Sequence, residues 1–180
     1  MEAAKEKLAF WLVPSLEAKA HFTSVIEELA RRFDAPVFEA HVTLQGGELE
    51  QQRAIELLDA IACAHSPLQL QISAIESSEK YTKTLYVQFR PSKEASAISD
   101  DIARRAGSEG SYKFDPHLSL LYKTMPEAEK QELTREIKVP FDQVLFEALK
   151  LISVPREIKA AEDVHAWRTI AERPLGGAAR

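Results

Sequence analysis

Two tetrapeptides with the same pattern constrain this chain more than any other feature. They are His41-Val42-Thr43-Leu44 and His117-Leu118-Ser119-Leu120, and each reads histidine, apolar residue, hydroxyl residue, leucine. Because alternate side chains of a β-strand share a face, each histidine and the hydroxyl two residues later should point the same way. The apolar residues should then point into a core. One copy would be an ordinary half-buried strand, but two copies indicate a paired site.

The two motifs belong to a longer internal duplication. The first histidine lies 76 residues before the second, and Pro14-Ser15 lies 77 residues before Pro91-Ser92. An apolar run precedes each Pro-Ser pair, and a helix-like stretch that ends in two arginines follows it. The pattern predicts one domain over residues 1–180 made of two similar lobes, at about 7–78 and 84–173. Each lobe should run strand, helix, strand, helix, strand, and the lobes should face each other.

Local patterns give approximate bounds for the elements. The first helix should begin at Ser15, and the strand that carries His41 should stop at Gly46-Gly47. The tail from Pro174 to residue 180 looks loose. The remaining helices are expected near 50–64, 92–105 and 126–137, and the remaining strands near 7–13, 68–77, 84–90, 142–154 and 164–172, besides the strand of His117.

Composition and charge exclude several classes of function. The chain has 180 residues, a net charge of −5 and one cysteine, Cys63. A single cysteine allows no internal disulfide and fits a reducing compartment. The first residues are too polar for a signal peptide, and no apolar run is long enough to span a membrane. We therefore expect a cytoplasmic monomer that binds a small anionic ligand, with no membrane partner and no long nucleic acid.

Two aromatic residues are candidates for ligand contact. In the first strand Leu8, Phe10 and Leu12 lie on one face and alternate with residues on the opposite face. The offset of the duplication aligns these three residues with Leu85, Val87 and Phe89. Trp11 and Tyr86 then fall on the face that should carry the four motif residues. An aromatic ring beside two histidines predicts a platform for base stacking. A tryptophan that only fills a wall of the cleft fits the same pattern.

A pair of facing histidines can perform acid–base chemistry near neutral pH. One neutral imidazole can take a proton from water while a protonated one gives a proton to a leaving oxygen. The hydroxyls of Thr43 and Ser119 can donate hydrogen bonds to phosphate oxygens as negative charge builds up. This chemistry suits hydrolysis of a cyclic phosphate diester without a metal.

Other chemistries for the same residues are less well supported by the spacing. The five histidines show no zinc-binding spacing, although Glu39 and Asp115, two residues before each motif histidine, would allow a mixed carboxylate site. Ser119 lacks the signature of a nucleophilic serine. The remaining histidines, His21, His65 and His165, are predicted to be structural.

The chain resembles the 2H phosphoesterase superfamily, which is named for two His-x-Thr/Ser motifs. Trp11, His41-Val42-Thr43, His117-Leu118-Ser119 and Tyr122 most resemble the plant and yeast cyclic phosphodiesterase branch. The resemblance extends to about Glu172 and implies a bilobal α+β fold, with an antiparallel sheet in each lobe, helices on the outer faces and a central cleft. It also implies His41 and His117 as the general acid and base, with phosphate contacts from Thr43, Ser119 and Tyr122 and a nucleotide contact from Trp11, without a cofactor or a metal.

Three functions remain open at this point. The first is a metal-independent cyclic phosphodiesterase that acts on ADP-ribose 1″,2″-cyclic phosphate or on nucleoside 2′,3′-cyclic phosphates, which it would open to 2′-phosphates. The second is a related enzyme that acts on 2′,3′-cyclic ends of RNA. The third is a nucleotide- or RNA-binding module that has kept the fold and lost turnover.

Overall fold

Strands and helices alternate along the part of the chain that the computed structural model describes, residues 5–110 and 112–177. The strands are β1 (Lys5–Pro14), β2 (Val42–Glu50), β3 (Leu68–Ser77), β4 (Leu85–Phe89), β5 (His117–Leu121), β6 (Gln143–Ser153) and β7 (Arg168–Pro174). The helices are α1 (Leu16–Phe33), α2 (Gln51–Ala64), α3 (Lys93–Ala106), α4 (Glu127–Glu136) and α5 (Ala161–His165), with a 3₁₀ turn at Tyr81–Lys83.

All seven strands join one antiparallel sheet in the order β1-β2-β5-β4-β3-β6-β7. β1 also pairs with β6, so six of the strands close into a ring. The third strand of each sequence half pairs with the other half: β3 pairs with β4, and β6 pairs with β1. The expected α+β fold class is confirmed, and this exchange of strands joins the two halves.

The core lies between the sheet and the helices. The alternating apolar residues of β1 and β4 are buried, as their spacing predicts. Helix α1 packs on β1 and β5, α3 packs on β2, and α4 packs on β3 and β4, so the helices cover one face of the sheet. The opposite face of the sheet carries Trp11 and the histidine and hydroxyl residues of the two motifs. The alternating core residues of β1 and β4 are Leu8, Phe10, Leu12, Leu85, Val87 and Phe89.

Strand β2 is longer than its glycines suggested. It runs through Gly46 and Gly47, which pair with Ala9 and Leu8 of β1, and it ends only at Glu50. Neither glycine has the positive φ that would mark a turn. The Glu50 side chain then accepts hydrogen bonds from the first backbone N–H groups of α2 and starts that helix directly. The predicted stop at Gly46-Gly47 is therefore wrong.

The C-terminal segment also differs from its prediction. Instead of one strand near 164–172, α5 precedes a strand that begins at Arg168. The Asp163 carboxylate accepts hydrogen bonds from the backbone N–H groups of Lys159 and Ala160, just before α5, and so stabilises the start of this helix. The tail was expected to be loose from Pro174, but Pro174 belongs to β7 and Leu175 is buried in the core. Burial of this leucine explains the order there, while residues 178–180 lie outside the described part.

No helix among the described residues combines the length and the hydrophobicity needed to cross a membrane.

Candidate active site

The two histidine motifs meet where β2 and β5 pair. Val42 pairs with Leu118, and both side chains are buried in the core. Alternation along each strand then directs the residues on either side of this pair to the opposite face. Those four residues line one open cavity of about 320 Å³: His41, Thr43, His117 and Ser119.

The two histidines are held in the same way. Nδ1 of His41 lies 2.6 Å from the carbonyl oxygen of Glu39, and Nδ1 of His117 lies 2.8 Å from the carbonyl oxygen of Asp115. A carbonyl oxygen can only accept, so Nδ1 of each ring carries the proton. In a neutral ring Nε2 is then an acceptor. The duplication has thus given both rings one tautomer, which leaves Nε2 for reactants in the cavity.

The two acidic residues that precede the histidines do not line the cavity. The Glu39 carboxylate binds Nζ of Lys150 at 2.6 and 2.7 Å and Nζ of Lys19 at 2.5 Å. The Asp115 carboxylate binds Nζ of Lys83 at 2.6 Å and the side-chain amide of Gln88 at 2.9 Å. The lysines take the oxygens that a mixed carboxylate metal site would need. Among the described residues, no group of three or more His, Cys, Asp or Glu is arranged to hold a metal ion.

Burial controls the protonation of both rings. It lowers the pKa of His41 to about 4, against the opposing effect of the hydrogen bond and charge of Glu39; His117 and Lys150 lower the pKa further. Burial also lowers the pKa of His117, opposed by the Asp115 carbonyl and assisted by Lys83. Both imidazoles are therefore neutral at pH 7 when the cavity holds no anion.

The two hydroxyls differ. Ser119 Oγ donates a hydrogen bond of 2.8 Å to the carbonyl oxygen of Thr82 in the 3₁₀ turn. Thr43 lies directly in the wall of the cavity, and its β-strand neighbour across the ladder is Trp11. Thr43 can therefore offer its hydroxyl to a ligand at once, whereas Ser119 must first release the Thr82 carbonyl.

Trp11 lines the cavity but does not offer a free face. Its ring stacks on His41 with centroids 3.6 Å apart and planes 11° apart, and only 3% of the residue is exposed. Sequence reasoning predicted a platform for a base, whereas the structure shows a platform for the imidazole of His41. The rotation of that ring is limited by the stack and by the Nδ1 hydrogen bond together.

Sequence reasoning missed a second tryptophan in the cavity. Trp167, between α5 and β7, is half-buried and meets Trp11, His41 and Tyr122 edge-on. Its neighbours in His165-Ala166-Trp167-Arg168 include no apolar residue of comparable size. A large aromatic residue without such a neighbour was the feature of the sequence that could have identified it as a site residue. It is better exposed than Trp11 for contact with a planar ligand.

The two tyrosines named from the sequence have different positions. Strand β5 ends at Leu121, so Tyr122 escapes the alternation of the strand and lines the cavity, stacked on Phe38 at 3.9 Å. Burial is the main cause that raises the pKa of its hydroxyl. Tyr86 is buried beside His117, donates to Glu76 and is not part of the cavity wall.

The remaining wall of the cavity is partly basic. Two lysines contribute to it, together with aromatic, aliphatic and small residues, none of which was proposed as a site residue from the sequence. These residues are Lys7, Leu8, Ala9, Gly46, Lys80, Thr82, Tyr112, Val154 and Ile158.

Comparison with known proteins agrees with the resemblance seen in the motifs. The model of the cyclic phosphodiesterase-like protein family matches residues 7–175. The chain is 22% identical to the cyclic phosphodiesterase of Arabidopsis thaliana over 176 residues, 94% of this chain and 96% of that protein.

Solved structures support the fold. Apo LigT from E. coli has a TM-score of 0.63 at 14% identity, with 97% of this chain and 100% of LigT covered. TT0787 from Thermus thermophilus has a TM-score of 0.61 at 14% identity, with 95% and 98% covered. The duplicated histidine motifs, their common cavity and the family match over residues 7–175 lead to one conclusion: the chain is a phosphodiesterase that belongs to the cyclic phosphodiesterase-like family of the 2H phosphoesterase superfamily.

Proposed function

We propose that this chain hydrolyses cyclic phosphate diesters of small nucleotides by paired-histidine acid–base catalysis, without a metal or another cofactor. The substrates are ADP-ribose 1″,2″-cyclic phosphate, nucleoside 2′,3′-cyclic phosphates, or both. The observation that carries the proposal is the matched pair of Nδ1–carbonyl hydrogen bonds, which gives His41 and His117 the same tautomer in one cavity.

For a 2′,3′-cyclic phosphate the reaction needs two proton transfers. Nε2 of one neutral histidine takes a proton from water as the water oxygen attacks phosphorus. Nε2–H of the other histidine, in its protonated form, gives a proton to the 3′ oxygen as the P–O3′ bond breaks. The products are a 2′-phosphate and a free 3′-hydroxyl. The two rings end with their protonation states exchanged and are reset through solvent.

Charge in the cavity supplies the protonated ring. Both rings are neutral without an anion, but a bound phosphate within hydrogen-bond reach favours an imidazolium and raises its pKa. Lys7 and Lys80, which line the cavity, carry positive charges that attract the same anion. Thr43, Tyr122 and, after rotation, Ser119 supply hydroxyl donors for phosphate oxygens whose charge grows in the transition state.

The size of the cavity favours a small substrate. A cavity of about 320 Å³ lies at the lower end of the range for small-molecule sites. The net charge of −5 gives no general attraction for a long polyanion. We therefore propose an enzyme that acts on free nucleotides rather than on RNA ends.

A turnover assay in chelator tests the proposal. The substrates are the four nucleoside 2′,3′-cyclic monophosphates, ADP-ribose 1″,2″-cyclic phosphate and an oligonucleotide with a 2′,3′-cyclic end, and the position of the product phosphate is read by ³¹P NMR. We expect turnover of the free nucleotides in chelator and a 2′-phosphate product. Preference for the oligonucleotide would indicate an RNA-end enzyme, and binding without product would indicate an inactive module. Either result contradicts the proposal.

Histidine variants test the mechanism with an internal control. H41A and H117A should each lower turnover by about two to four orders of magnitude, as expected for a lost acid or base. The double variant should lose less than the product of the two, because the rings act as a unit. H65A removes a histidine with a side-chain exposure of 22%, similar to the 20% of His117, that pairs with Asp101 away from the cavity, and it should keep the wild-type rate. Near-normal activity of H41A or H117A would exclude the mechanism.

A further inference from the structure

A buried lysine lies behind His41 and outside the cavity wall. Lys150, in the middle of β6, is only 6% exposed and pairs across the sheet with Trp11 on one side and Glu172 on the other. Cross-strand partners share a face, so Lys150 lies on the same face as the Trp11 ring that supports His41. A buried lysine is costly unless its charge is paired. This position therefore needs an explanation.

The ammonium group of Lys150 is fully used. It binds both carboxylate oxygens of Glu39 at 2.6 and 2.7 Å and one of Glu172 at 2.8 Å, which matches its three N–H donors. The Glu39 carboxylate is held from the other side by Lys19 of α1. The loop residue Glu39 is thus fixed between the first helix and the centre of the sheet.

The backbone of Glu39 carries this constraint to the site. Its carbonyl oxygen accepts the Nδ1 proton of His41 at 2.6 Å, so the position of Glu39 decides the direction and tautomer of the His41 ring. We propose that Lys150 is a positioning residue: by holding the Glu39 carboxylate it fixes the carbonyl that keeps His41 in the Nδ1–H tautomer, with Nε2 toward the substrate. This inference rests on the proposed role of His41 in turnover.

The second half of the site has a less buried counterpart. Lys83 binds the Asp115 carboxylate, and Asp115 holds Nδ1 of His117 through its carbonyl. There the side chain of Asp115 is 48% exposed, against 25% for Glu39. Lys150 therefore acts in a drier environment, in which a charge near the ring has a larger effect. The two halves repeat one arrangement with different strength.

The charges that face His41 give a directional test. They come from Glu39 in its own loop, Lys150 on β6 and His117 on β5, and Lys7, Lys80 and Tyr122 line the same cavity. Removal of Lys150 takes away a positive charge and leaves the Glu39 carboxylate, so the pKa of His41 should rise. Removal of the Glu39 carboxylate leaves Lys150 and should lower the pKa. Loosening of the structure alone would move both variants in the same direction.

The experiment is ¹⁵N NMR of the His41 imidazole in wild type, K150M and E39Q, without substrate. In wild type we expect the Nδ1–H tautomer across neutral pH. In K150M we expect a mixture of tautomers and a titration that moves to higher pH, because a positive charge near the ring is lost. In E39Q the titration should move down. K150R, which keeps the charge, should restore the wild-type tautomer.

Kinetics and a matched control complete the test. K150M should lower kcat by about tenfold or more with little change in KM, since Lys150 does not line the cavity but sets an orientation on which the rate depends. K130M removes another buried lysine, 1% exposed and paired with Glu79 and Glu127. It should lower the melting temperature without moving the His41 titration. If K150M fails to fold, E39Q and K150R carry the NMR test.

Two outcomes separate this inference from the proposed function. Full activity of H41A would remove the catalytic role of His41 while leaving the NMR effect of K150M intact. If turnover depends on His41 but K150M and E39Q keep the wild-type tautomer and titration, Lys150 is a structural charge only, and the inference fails by itself.

Discussion

Trp11 and His41 are stacked face to face, with ring centroids 3.6 Å apart and an angle of 11° between their planes. The contact joins the centre of β1 to the residue that begins the first motif. It gives the buried imidazole an apolar neighbour on one face, while the Glu39 carbonyl fixes its edge. The role of this tryptophan is therefore best tested through the behaviour of His41.

We expect W11A to lower kcat rather than to raise KM selectively. Without the indole, His41 can rotate, and a displacement of about 1 Å at a reacting group can cost roughly a hundredfold in rate. The loss should be the same for a nucleoside 2′,3′-cyclic phosphate and for ribose 2,3-cyclic phosphate, which has no base. W11F keeps a stacking ring and should keep most of the activity. A defect limited to the base-bearing substrate would return Trp11 to the role of a base platform.

We expect Trp167 to contact the base of the substrate. It is a half-buried tryptophan in the cavity wall, and stacking of a base is worth about 1–3 kcal/mol. W167A should raise KM for base-bearing substrates by roughly ten- to a hundredfold and leave ribose 2,3-cyclic phosphate almost unaffected. Equal defects with both substrates would instead make Trp167 a support for Trp11 and His41.

Much of the fold could be predicted from local patterns. The spacing of apolar residues gave β3 at its observed bounds and placed α2, α3 and β6 within a residue or two. The pairing of strands was not predictable in the same way, because contacts between β1 and β6 join residues that are far apart in the sequence. The predicted strand stop at the glycines of β2 was wrong for a related reason. A glycine in an extended strand cannot be distinguished from a glycine in a turn unless the partner strand is known.

In the site, too, the local features could be predicted and the long-range contacts could not. Alternation within two short strands was enough to bring His41, Thr43, His117 and Ser119 together in one cavity. The orientation and the pKa of the two histidines depend on backbone carbonyls and on residues that are distant in the sequence: Lys150 is 111 positions from Glu39. No spacing rule in a single sequence connects such a pair. The position of Tyr122 likewise depends on where β5 ends, which the pattern of residues did not predict.

Thr43 and Ser119 should differ when their hydroxyls are removed. T43V keeps the shape of the side chain and should lower kcat by about one to three orders of magnitude, as expected for a lost transition-state donor. Because Thr43 contributes its hydroxyl to the cavity, the melting temperature should stay unchanged. S119A also leaves the Thr82 carbonyl without its donor, at a cost of about 1 kcal/mol. Thermal unfolding of both variants checks this, and an equal loss of stability would contradict it.

The pH dependence should separate free enzyme from complex. The pKa of each histidine is lowered by burial, so the free enzyme holds the required imidazolium only below about pH 6.5. The bell of kcat/KM, which reports free enzyme, should therefore peak on the acid side of neutrality. Bound phosphate favours the imidazolium, so the alkaline limb of kcat should lie at higher pH. Superposed profiles for kcat/KM and kcat would mean that the substrate anion does not reach the rings.

Acid should destabilise the fold through His41. The pKa of His41 is about 4 in the folded chain, against 6.5 for an unperturbed histidine. Between these values the unfolded chain takes up a proton that the folded chain does not bind. The contribution of neutral His41 is therefore complete above about pH 6.5 and is lost as the pH falls toward 4, by about 3 kcal/mol in all.

The variant H41N isolates this contribution of His41 to the free energy of unfolding. Asparagine can donate its side-chain amide to the Glu39 carbonyl, as Nδ1 does, but it does not titrate. The free energy of unfolding, measured with urea at pH 7 and at pH 4.5, should fall more steeply for wild type than for H41N. Protonation of Glu39, Asp115 and the other carboxylates lowers the free energy of unfolding equally in both chains. The difference between the two slopes is therefore the contribution of His41. Parallel losses would show that the ring is protonated in the folded chain well above pH 4.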